Sequence, residues 1–393
     1  MKNCLIRKLT AAAMAGVLVF TTAACGSGEV ANSNSMFETV EGTKKEEAPA
    51  KEEPAAVEEE QPAEEEVPQE IPEGMYASEL TGLPISLDLK NQRPIAAMVD
   101  NEIKALPHFG TAQTDIVFEL MNSTANDRIT RLMCVVKDYD SIDQLGSIRS
   151  TRPTNIMLAA EYNAVLCHDG GPFHNDAYFA KGFCDHFSGT FSRVNNGKDR
   201  EFTEYILPGD LDNASNFGAG KVSKEYEEGF SGDTPHFNFT EYGTQVHLDQ
   251  VFERTYEVQR IRLDDVFKHN QSRLVYNPDT ACYEYQEYGD PHLDEDSGAP
   301  LAFKNVFLLN CDFNKLDNEG YLVYNCLTGA NLGFYITNGY AKTISWNKLS
   351  DQGFMQFFDD QGNPLTINRG KTYISLIPAD TWDNVVLDQL IED

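Results

Sequence analysis

The sequence predicts an α/β N-terminal domain with a mixed sheet, followed by a mostly-β C-terminal domain and preceded by a disordered acidic tether. Three observations lead to this prediction. Residues 76–234 contain short apolar runs of the kind that form buried strands, with one helical segment among them. Residues 235–393 contain turn-forming residues at intervals of roughly 8 to 20, separated by aromatic and β-branched runs. Residues 25–75 are rich in glutamate, proline and alanine, and a signal-like segment occupies residues 1–24.

The first 24 residues are typical of a bacterial secretory signal peptide. Lys2, Arg7 and Lys8 precede an apolar run from Leu9 to Phe20, and small residues follow it up to Cys25. A cysteine directly after two alanines resembles the lipobox of bacterial lipoproteins, whose thiol receives a diacylglycerol and whose anchor carries acyl chains such as palmitate. Two acyl chains anchor a protein stably, so we expect Cys25 to attach this protein to the outer face of the cell membrane. An ordinary secretory signal with a chance cysteine is the alternative.

The charge of the chain restricts its partners. The formal net charge is -31. This excludes partners that bind through a large positive charge on the protein, such as nucleic acid or an anionic lipid surface. Residues 26–75 contain fifteen glutamates and three lysines, with few large apolar side chains. Such a segment cannot bury enough apolar surface to offset the entropy of ordering. The sequence therefore predicts a flexible tether that holds a folded head inside or across a cell-wall layer.

The first domain is predicted from four strands and one helix. The strands are expected at 94–100, 115–120 and 129–136, which are apolar runs bounded by turn-forming residues. A helix should begin at Pro153, because proline is favoured in the first helical turn, and should lead into a buried strand at 163–168. A strand, a helix and a strand in succession indicate an α/β layer.

The second domain is predicted from its turns. Asn338-Gly339 lies between two strand-like runs and is the strongest hairpin signal in the chain, because both residues tolerate the left-handed backbone of a tight turn. The regular spacing of the other turns indicates a β-sandwich or a strongly curved meander.

Six cysteines follow Cys25, an even number that permits disulfides in an exported protein. Cys134 and Cys167 lie within apolar runs, where a free thiol behaves as a small buried hydrophobe. We expect mostly free, buried thiols among the six, which are Cys134, Cys167, Cys184, Cys282, Cys311 and Cys326.

Several motifs resemble the YerB-like family of bacterial lipoproteins, a domain of unknown function with an N-terminal and a C-terminal part. The resemblance is carried by Arg93-Pro94, Met98 to Asn101, Thr114 to Glu119, Arg128 to Arg131, Leu145 to Pro153, His168 to Gly171, Pro291 to Asp294, Ile344 to Lys348 and Gly370 to Ile374. It covers the chain from about residue 80 to about residue 380. It implies surface attachment and a two-domain layout, and it implies no reaction.

Four arginines in the first domain are candidates for an anion site: Arg128, Arg131, Arg149 and Arg152. Guanidinium groups bind phosphate or carboxylate in a bidentate manner, and the first turn of a helix favours an anion at the same place. The alternative is that these arginines form structural ion pairs with acidic residues, namely Asp100, Asp115, Glu119 or Glu161.

A second candidate lies at the end of the strand at 163–168. His168, Asp169, Gly170 and Gly171 stand at the carboxyl end of this strand, where ligands collect in open α/β sheets. The alternative is that the glycines only turn the chain and that backbone groups satisfy the histidine.

A zinc site is the less favoured interpretation of the histidines and cysteines in this region. His168, Asp169, His174, Cys184, Asp185 and His186 have competent ligand atoms, but their spacing matches no known zinc pattern. The sequence therefore predicts no metal and no cofactor.

Two functions remain open. The first is a membrane-anchored extracytoplasmic lipoprotein that binds cell-wall polymer or wall-synthesis proteins without catalysis. The second is an envelope enzyme acting on a phosphate-bearing or carboxylate-bearing substrate, with the arginines holding the anion and Asp100 or His168 acting as acid or base. The first is preferred, because the sequence contains no ordered catalytic set such as a nucleophile elbow.

Overall fold

The structure is a computed structural model, and it describes residues 67–389. The predicted signal peptide, the predicted lipidation site Cys25 and most of the predicted tether lie outside the described residues. Within the described range, no helix is both long enough and apolar enough to cross a membrane.

The strands of the first half are short, and most of them are buried. They are β1 (Met75–Ala77), β2 (Pro84–Ser86), β3 (Ile95–Asp100), β4 (Ile116–Met121), β5 (Thr130–Val136), β6 (Leu145–Gly146), β7 (Val165–His168), β8 (His186–Ser188), β9 (Ser192–Arg193), β10 (Glu204–Ile206) and β11 (Asn238–Phe239).

The strands of the second half include the longest in the structure. They are β12 (Tyr256–Glu257), β13 (Arg260–Arg262), β14 (Arg273–Asn277), β15 (Cys282–Glu287), β16 (Asp290–Pro291), β17 (Ala302–Phe303), β18 (Asn305–Cys311), β19 (Phe313–Lys315), β20 (Leu322–Tyr324), β21 (Thr328–Thr337), β22 (Tyr340–Lys348), β23 (Gln356–Phe358), β24 (Thr366–Ile367), β25 (Thr372–Pro378) and β26 (Val386–Asp388).

Helices are few and short. The α-helices of the described part are α1 (Pro153–Glu161), α2 (Asp176–Phe179) and α3 (Leu248–Val251). The 3-10 helices are Leu87–Leu89, Ile103–Ala105, Thr111–Gln113, Asn126–Arg128, Tyr139–Ser141, Phe173–Asn175, Arg200–Phe202, Phe217–Ala219 and Ala379–Asn384.

The predicted elements of the first half are confirmed. Strands β3, β4, β5 and β7 occupy the four predicted apolar runs, and α1 begins at Pro153. All nine residues of α1 are buried, so it is a core helix. The prediction of an α/β fold is only partly confirmed, because the first half is mostly β. Its described part contains one α-helix that is longer than a single turn. The reason is that β3, β4 and β5 are joined as antiparallel neighbours, which need no crossover helix.

One mixed sheet of eleven strands spans both halves of the chain. Its strand order is β12-β22-β21-β18-β25-β4-β5-β3-β7-β8, and β23 pairs with β22. The two halves meet where β25 runs parallel to β4, from Thr372 opposite Ile116 to Leu376 opposite Leu120. The predicted hairpin at Asn338-Gly339 is confirmed, since it joins β21 to β22 and both turn residues have positive φ.

The second half is mostly β, as predicted, but most of its strands are divided between two sheets, while β19 pairs with β20 and β24 pairs with β11 in separate two-stranded sheets. Some extend the central sheet, and others form a six-stranded antiparallel sheet with the order β16-β15-β14-β13-β26, in which β17 pairs with β15. A single hydrophobic core includes side chains from both halves of the chain. The boundary between residues 234 and 235 stays a prediction.

Glu119 lies fully buried where the two sheets and the two halves meet. Its Oε1 atom accepts hydrogen bonds from Thr130 Oγ1 (2.7 Å), Ser272 Oγ (2.6 Å) and Tyr285 OH (3.0 Å). Its Oε2 atom accepts one from Tyr373 OH at 2.5 Å. Burial raises the pKa of Glu119, and the four hydroxyl donors oppose that shift. Three of the four donors belong to the second half, so the carboxyl group joins the halves.

A second buried link joins α1 to the hairpin. Lys348 Nζ lies 2.8 Å from Glu161 Oε2, and neither side chain is accessible to solvent. His236 Nε2 lies 3.3 Å from the other carboxylate oxygen. Burial alone would raise the pKa of Glu161, but Lys348 and His236 hold it below its ordinary value.

The cysteines of the described part are free thiols, of which Cys134, Cys167, Cys184, Cys311 and Cys326 are buried and Cys282 is half-buried. The expectation of mostly free, buried thiols agrees with this arrangement.

We predict that Glu119→Ala destabilises the second half together with the first. Removing the carboxyl group takes the acceptor from four buried hydroxyl groups, of which Ser272 and Tyr285 can still bond to each other. Each group that is left unsatisfied costs about 1–3 kcal/mol. We therefore expect the free energy of unfolding to fall by about 3 kcal/mol or more.

The chain has two tryptophans, Trp346 and Trp382, both in the second half, so their fluorescence in a urea titration reports on that half. The exposed Glu228→Ala is the matched control. An unchanged fluorescence midpoint in Glu119→Ala would show that the halves unfold independently.

Candidate functional site

Three of the four predicted arginines line one cleft. Arg131, Arg149 and Arg152 surround an open cavity of about 330 Å³ together with Asp100, Asn122 and Tyr321. We call this cavity the arginine cleft.

Sheet register and backbone pairing bring these side chains together. Asp100 is the last residue of β3 and lies opposite Arg131 of β5 in the antiparallel ladder. The segment between β6 and α1 then crosses the end of β3, where the backbone N–H of Arg149 donates to Met98 O at 2.8 Å. Arg152 is the residue immediately before α1. Residues up to 52 positions apart in the sequence therefore share one cavity.

Asp100 is a buried carboxylate held between two guanidinium groups. Its Oδ2 atom lies 2.7 Å from Arg149 Nε, and its Oδ1 atom lies 3.7 Å from Arg131 Nε. These contacts have the distances of ion pairs but not the directions of hydrogen bonds, so both Nε atoms keep unused donor capacity. Arg149 also donates through Nη2 to the half-exposed Glu201 at 2.8 Å. One buried acid thus neutralises two arginines only in part.

Arg152 is a buried cation without an acidic partner. It is 7% exposed, and no carboxylate among residues 67–389 lies within ion-pair distance of it. Its Nε donates to Asn122 O at 3.0 Å and its Nη1 to Thr151 O at 2.8 Å, and the guanidinium lies 4.6 Å from the ring centre of Tyr321. Burial, and next the nearby Arg131, lower the pKa of Arg152 to about 9. Its direct partners among the described residues are carbonyl and hydroxyl oxygens and a π face.

Apart from the buried Asp100, the acidic residues that line the cleft are exposed or partly exposed. Glu102, Glu201 and Glu319 line the opening with Lys104. Glu102 is already paired with His269 at 3.1 Å, and Glu201 with Arg149. The cleft therefore has a positively charged interior and a negatively charged edge.

The fourth predicted arginine, Arg128, does not line the cleft. It forms a bidentate ion pair with Asp380, with Nη1–Oδ1 and Nη2–Oδ2 distances of 2.9 and 2.6 Å. Arg128 ends a run of three non-glycine residues with positive φ, which also includes Asn126 and Asp127. Such residues cost of order 1–3 kcal/mol each and are frequent at binding sites. The Asp380 pair holds this strained loop against the second half of the chain, and Asn126 of the loop lines the cleft.

The structure does not bring His168 and Asp169 into the arginine cleft. His168 pairs with Gly170 O at 2.8 Å and with His186 Nδ1 at 3.0 Å, and burial lowers its pKa to about 4. Asp169 binds Arg193 at 2.8 Å. Backbone hydrogen bonds link the two segments, since Asp169 N donates to Arg149 O at 3.0 Å and Thr151 N donates to Gly170 O at 3.2 Å.

Local packing explains the two glycines after β7. Gly170 has a φ of 71°, which is the left-handed region that favours glycine. A Cβ atom on Gly171 would lie 2.2 Å from Asn175 Nδ2 and 3.0 Å from Thr151 O. The strand end can approach Thr151 this closely only because no side chain is present.

The six possible zinc ligands are dispersed among separate partners. His168 pairs with His186, His174 with Asp317 at 2.7 Å, Asp185 with Arg93 at 2.7 Å and Asp169 with Arg193. Cys184 points its thiol toward the carbonyl oxygen of Asp185.

A different group of possible ligands lies buried beneath the cleft. His108, Glu287 and His292 place one ligand atom each within 4.8 Å of one another, and this is the one such group that the described residues form. His292 Nδ1 lies 2.9 Å from Glu287 Oε1, and its Nε2 lies 2.9 Å from Thr111 Oγ1. His108 Nε2 lies 2.7 Å from the carbonyl oxygen of Asp100. Sequence reasoning missed this group because 179 positions separate His108 from Glu287 and no spacing signal connects them.

Burial dominates the titration of this group. It lowers the pKa of His108 to about 3 and of His292 to about 4, and it raises the pKa of Glu287 to about 7. The neutral forms are therefore the stable ones, and a hydrogen-bonded chain runs from Glu287 through His292 to Thr111. Glu287 Oε2 is buried and has no hydrogen-bond partner among the described residues.

Comparison with known proteins identifies relatives. Residues 80–220 match the family described as "Protein of unknown function (DUF3048) N-terminal domain", and residues 261–374 match the corresponding C-terminal domain. Each match lies within one of the two predicted domains.

One curated relative is "Putative lipoprotein YerB" of Bacillus subtilis (strain 168), which is 22% identical over 321 residues, covering 79% of this chain and 86% of the relative. The crystal structure of the YerB protein from Bacillus subtilis has the same fold, with a TM-score of 0.65 at 21% identity over 79% of this chain and 99% of that chain. The family resemblance inferred from the sequence is confirmed.

We predict that Glu287→Gln gains stability relative to the wild type as the pH rises. With a pKa of about 7 in the folded protein and 4.5 in the unfolded chain, Glu287 takes up a proton on folding between these two values. The wild type therefore loses about 1.4 kcal/mol of stability per pH unit in this window, and the loss ends above pH 7. Glutamine mimics the protonated side chain and does not titrate.

The test is urea denaturation of both proteins at intervals from pH 4.5 to pH 8. The two histidines titrate in both proteins, so their contribution cancels in the difference. A stability difference that does not change with pH would contradict the raised pKa of Glu287.

Proposed function

The chain belongs to the family defined by the two DUF3048 domains, and from the arginine cleft we propose that it is an extracytoplasmic lipoprotein that binds an anionic group of an envelope molecule without catalysis. The ligand chemistry is phosphate or carboxylate, carried by a cell-wall polymer or by a component of wall synthesis.

The observation that carries this proposal is the unpaired buried charge of Arg152. Burying a cation without an acidic partner costs several kcal/mol, and a fold has no structural reason to keep such a group. The hydrogen bonds of Arg152 to described residues use Nε and Nη1, which leaves Nη2 for a ligand. An anion bound here would complete the coordination of Arg152.

The neighbouring arginines extend the same site. Arg131 donates through Nη1 to Asn122 and to Ser150, and neither its Nε nor its Nη2 has a hydrogen-bond partner among the described residues. Arg149 uses Nη2 for Glu201. Three guanidinium groups that line one cavity therefore have N–H donors without a hydrogen-bond partner among the described residues, which suits an oxyanion with several acceptor atoms. The strained loop at Asn126–Arg128 is a further feature that is common at binding sites.

The enzymatic alternative has weaker support. It assigns acid or base chemistry to Asp100 or His168, and His168 is not among the residues that line the cleft. Asp100 is buried, and both of its carboxylate oxygens lie at ion-pair distance from an arginine, Arg149 for one and Arg131 for the other. The geometry thus favours binding over catalysis.

The location of the protein is part of the proposal. The name of the Bacillus subtilis relative calls it a lipoprotein. The signal pattern that ends at Cys25 and the acidic segment that follows it fit a head held outside the membrane by a tether. The proposed partners are therefore the membrane, through the lipid, and an anionic wall component, through the arginine cleft.

We predict that Arg152→Ala weakens anion binding and changes stability little. The probe is soluble poly(glycerol phosphate), and the measurement is isothermal titration calorimetry with the full-length protein in detergent. A hydrogen bond to a charged group contributes about 1.5–3 kcal/mol, so Kd should rise roughly tenfold to a hundredfold. No described carboxylate pairs with Arg152, so the substitution leaves no buried acid unpaired. The free energy of unfolding should therefore not fall by the roughly 3–5 kcal/mol that follows from breaking a buried ion pair.

The matched control is the exposed Arg254→Ala, which removes the same charge away from the cleft. It should bind the polymer as the wild type does. A wild type that binds neither this polymer nor poly(glutamate), which offers carboxylates in place of phosphates, would refute the anion site.

A separate prediction concerns the anchor. The Cys25→Ser variant should move from the membrane fraction to the soluble fraction, because serine cannot form the thioether that carries the lipid. Membrane fractionation followed by immunoblotting measures this. Recovery of the variant in membranes at the wild-type level would defeat the lipoprotein assignment.

A further inference from the structure

The buried group of His108, Glu287 and His292 has the spacing of a metal site. We call this group the buried triad. His108 Nδ1 lies 3.4 Å from His292 Nε2 and 3.8 Å from Glu287 Oε1. The ligand atoms of a tetrahedral zinc ion lie about 2.0–2.2 Å from the metal, and therefore about 3.3–3.6 Å from one another. The two imidazoles already have this separation, and the triad as a whole exceeds it by at most about 1.5 Å.

A hydrogen bond from outside the triad directs one lone pair into it. His108 Nε2 lies 2.7 Å from the carbonyl oxygen of Asp100, and a carbonyl oxygen can only accept. In the neutral imidazole Nε2 therefore carries the proton, and Nδ1 presents its lone pair to His292 and Glu287. Histidines that bind a metal usually donate their other ring N–H to a carbonyl or a carboxylate in this way.

The carboxyl group of Glu287 is the third candidate ligand. Its Oε1 atom lies 2.9 Å from His292 Nδ1, so it also orients that ring with Nε2 toward His108. Its Oε2 atom is buried and has no hydrogen-bond partner among the described residues. A buried carboxylate oxygen without a donor is costly, and a cation bound by the carboxylate would remove that cost. Thr111 Oγ1, which lies 2.9 Å from His292 Nε2, is a further oxygen beside the triad.

The backbone holds the three residues in place and brings them from both halves of the chain. His292 N donates to Tyr285 O at 3.0 Å, and Glu295 N donates to His108 O at 2.9 Å. Glu287 is the last residue of β15. His108 belongs to the first half, whereas Glu287 and His292 belong to the second. A metal held by all three would therefore link the halves.

We propose that the buried triad binds one divalent transition-metal ion, with Zn²⁺ as the reference ion, through His108 Nδ1, His292 Nε2 and the Glu287 carboxylate. Two imidazoles and a carboxylate suit such an ion, whereas Ca²⁺ and Mg²⁺ take oxygen ligands. The three side chains are at most 2% exposed, so the role of the metal is structural. It joins the two halves and, through the bond from His108 to the carbonyl oxygen of Asp100, steadies one wall of the arginine cleft.

The experiment measures Zn²⁺ binding by isothermal titration calorimetry, with the full-length protein in detergent after a chelator has removed bound metal. A proton and the metal compete for Glu287, so the pH dependence of stability expected from Glu287→Gln applies to the metal-free protein. The wild type should bind one Zn²⁺ per chain.

Two substitutions remove one ligand each and change the shape of the site little. Glu287→Gln removes the charge, and His292→Asn keeps a polar group near the position of Nδ1 but lacks Nε2. Even the loss of a group that only orients a ligand weakens metal binding by about 10- to 100-fold, so Kd should rise at least tenfold in each variant. The matched control His186→Ala removes an exposed histidine that pairs with His168, and it should bind Zn²⁺ as the wild type does.

Two further measurements separate this site from binding elsewhere. Saturating Zn²⁺ should raise the urea midpoint of the wild type, followed by tryptophan fluorescence, and should leave the midpoints of Glu287→Gln and His292→Asn unchanged, because an ion stabilises only the fold that binds it. The same curves show whether each variant folds before Zn²⁺ is added. X-ray absorption of the wild type with one Zn²⁺ bound needs no variant, and it should show two imidazole ligands and no sulfur.

Four results would overturn the proposal. They are a wild type that binds no Zn²⁺ at a ratio of one to one, equal Kd values in the wild type and both ligand variants, sulfur in the first coordination sphere, and loss of binding in His186→Ala with binding retained in Glu287→Gln. The last result would place the metal at the pair of His168 and His186 instead.

Discussion

The carboxyl group of Glu119 joins the two halves of the chain where β4 pairs with β25. It accepts hydrogen bonds from Thr130 beside it in the sheet and from Ser272, Tyr285 and Tyr373 of the second half. A buried carboxyl group is costly unless its acceptors are satisfied, so it requires these four hydroxyl groups to be present together. That requirement sets the register of β25 against β4. It also fixes the position of the six-stranded sheet, because Ser272 and Tyr285 belong to it or adjoin it.

The arginine cleft depends on this arrangement. Arg131 projects from β5, the strand that pairs with β4, while Tyr321, which covers the guanidinium of Arg152, comes from the second half. Arg128 ties the loop at the edge of the cleft to Asp380. The cleft is therefore assembled across the junction, and an isolated first domain would lack part of its wall.

The distribution of charge sets the arginine cleft apart from the rest of the protein. Most ion pairs lie on a surface that is strongly acidic, and exposed pairs of this kind contribute about 0–1 kcal/mol each. In the arginine cleft the balance is reversed, since the buried Arg152 has no carboxylate at ion-pair distance within residues 67–389. Unsatisfied cations on an anionic protein are a local conflict, and such conflicts are typical of binding sites.

The sequence by itself determined the buried strands at 94–100, 115–120, 129–136 and 163–168, the helix at Pro153, the hairpin at Asn338-Gly339 and the family. These are local signals, because apolar runs and turn residues act within about ten residues. It also indicated Arg131, Arg149 and Arg152 together with Asp100, which are close enough in sequence for neighbouring strands to align them. Only the tertiary structure decided that Arg128 binds Asp380, that His168 turns away toward His186, and that His108 meets Glu287 and His292. Those contacts join residues from 18 to 252 positions apart. The pairing of β4 with β25 across the whole chain creates the longest of them, and no pattern along the sequence encodes that pairing.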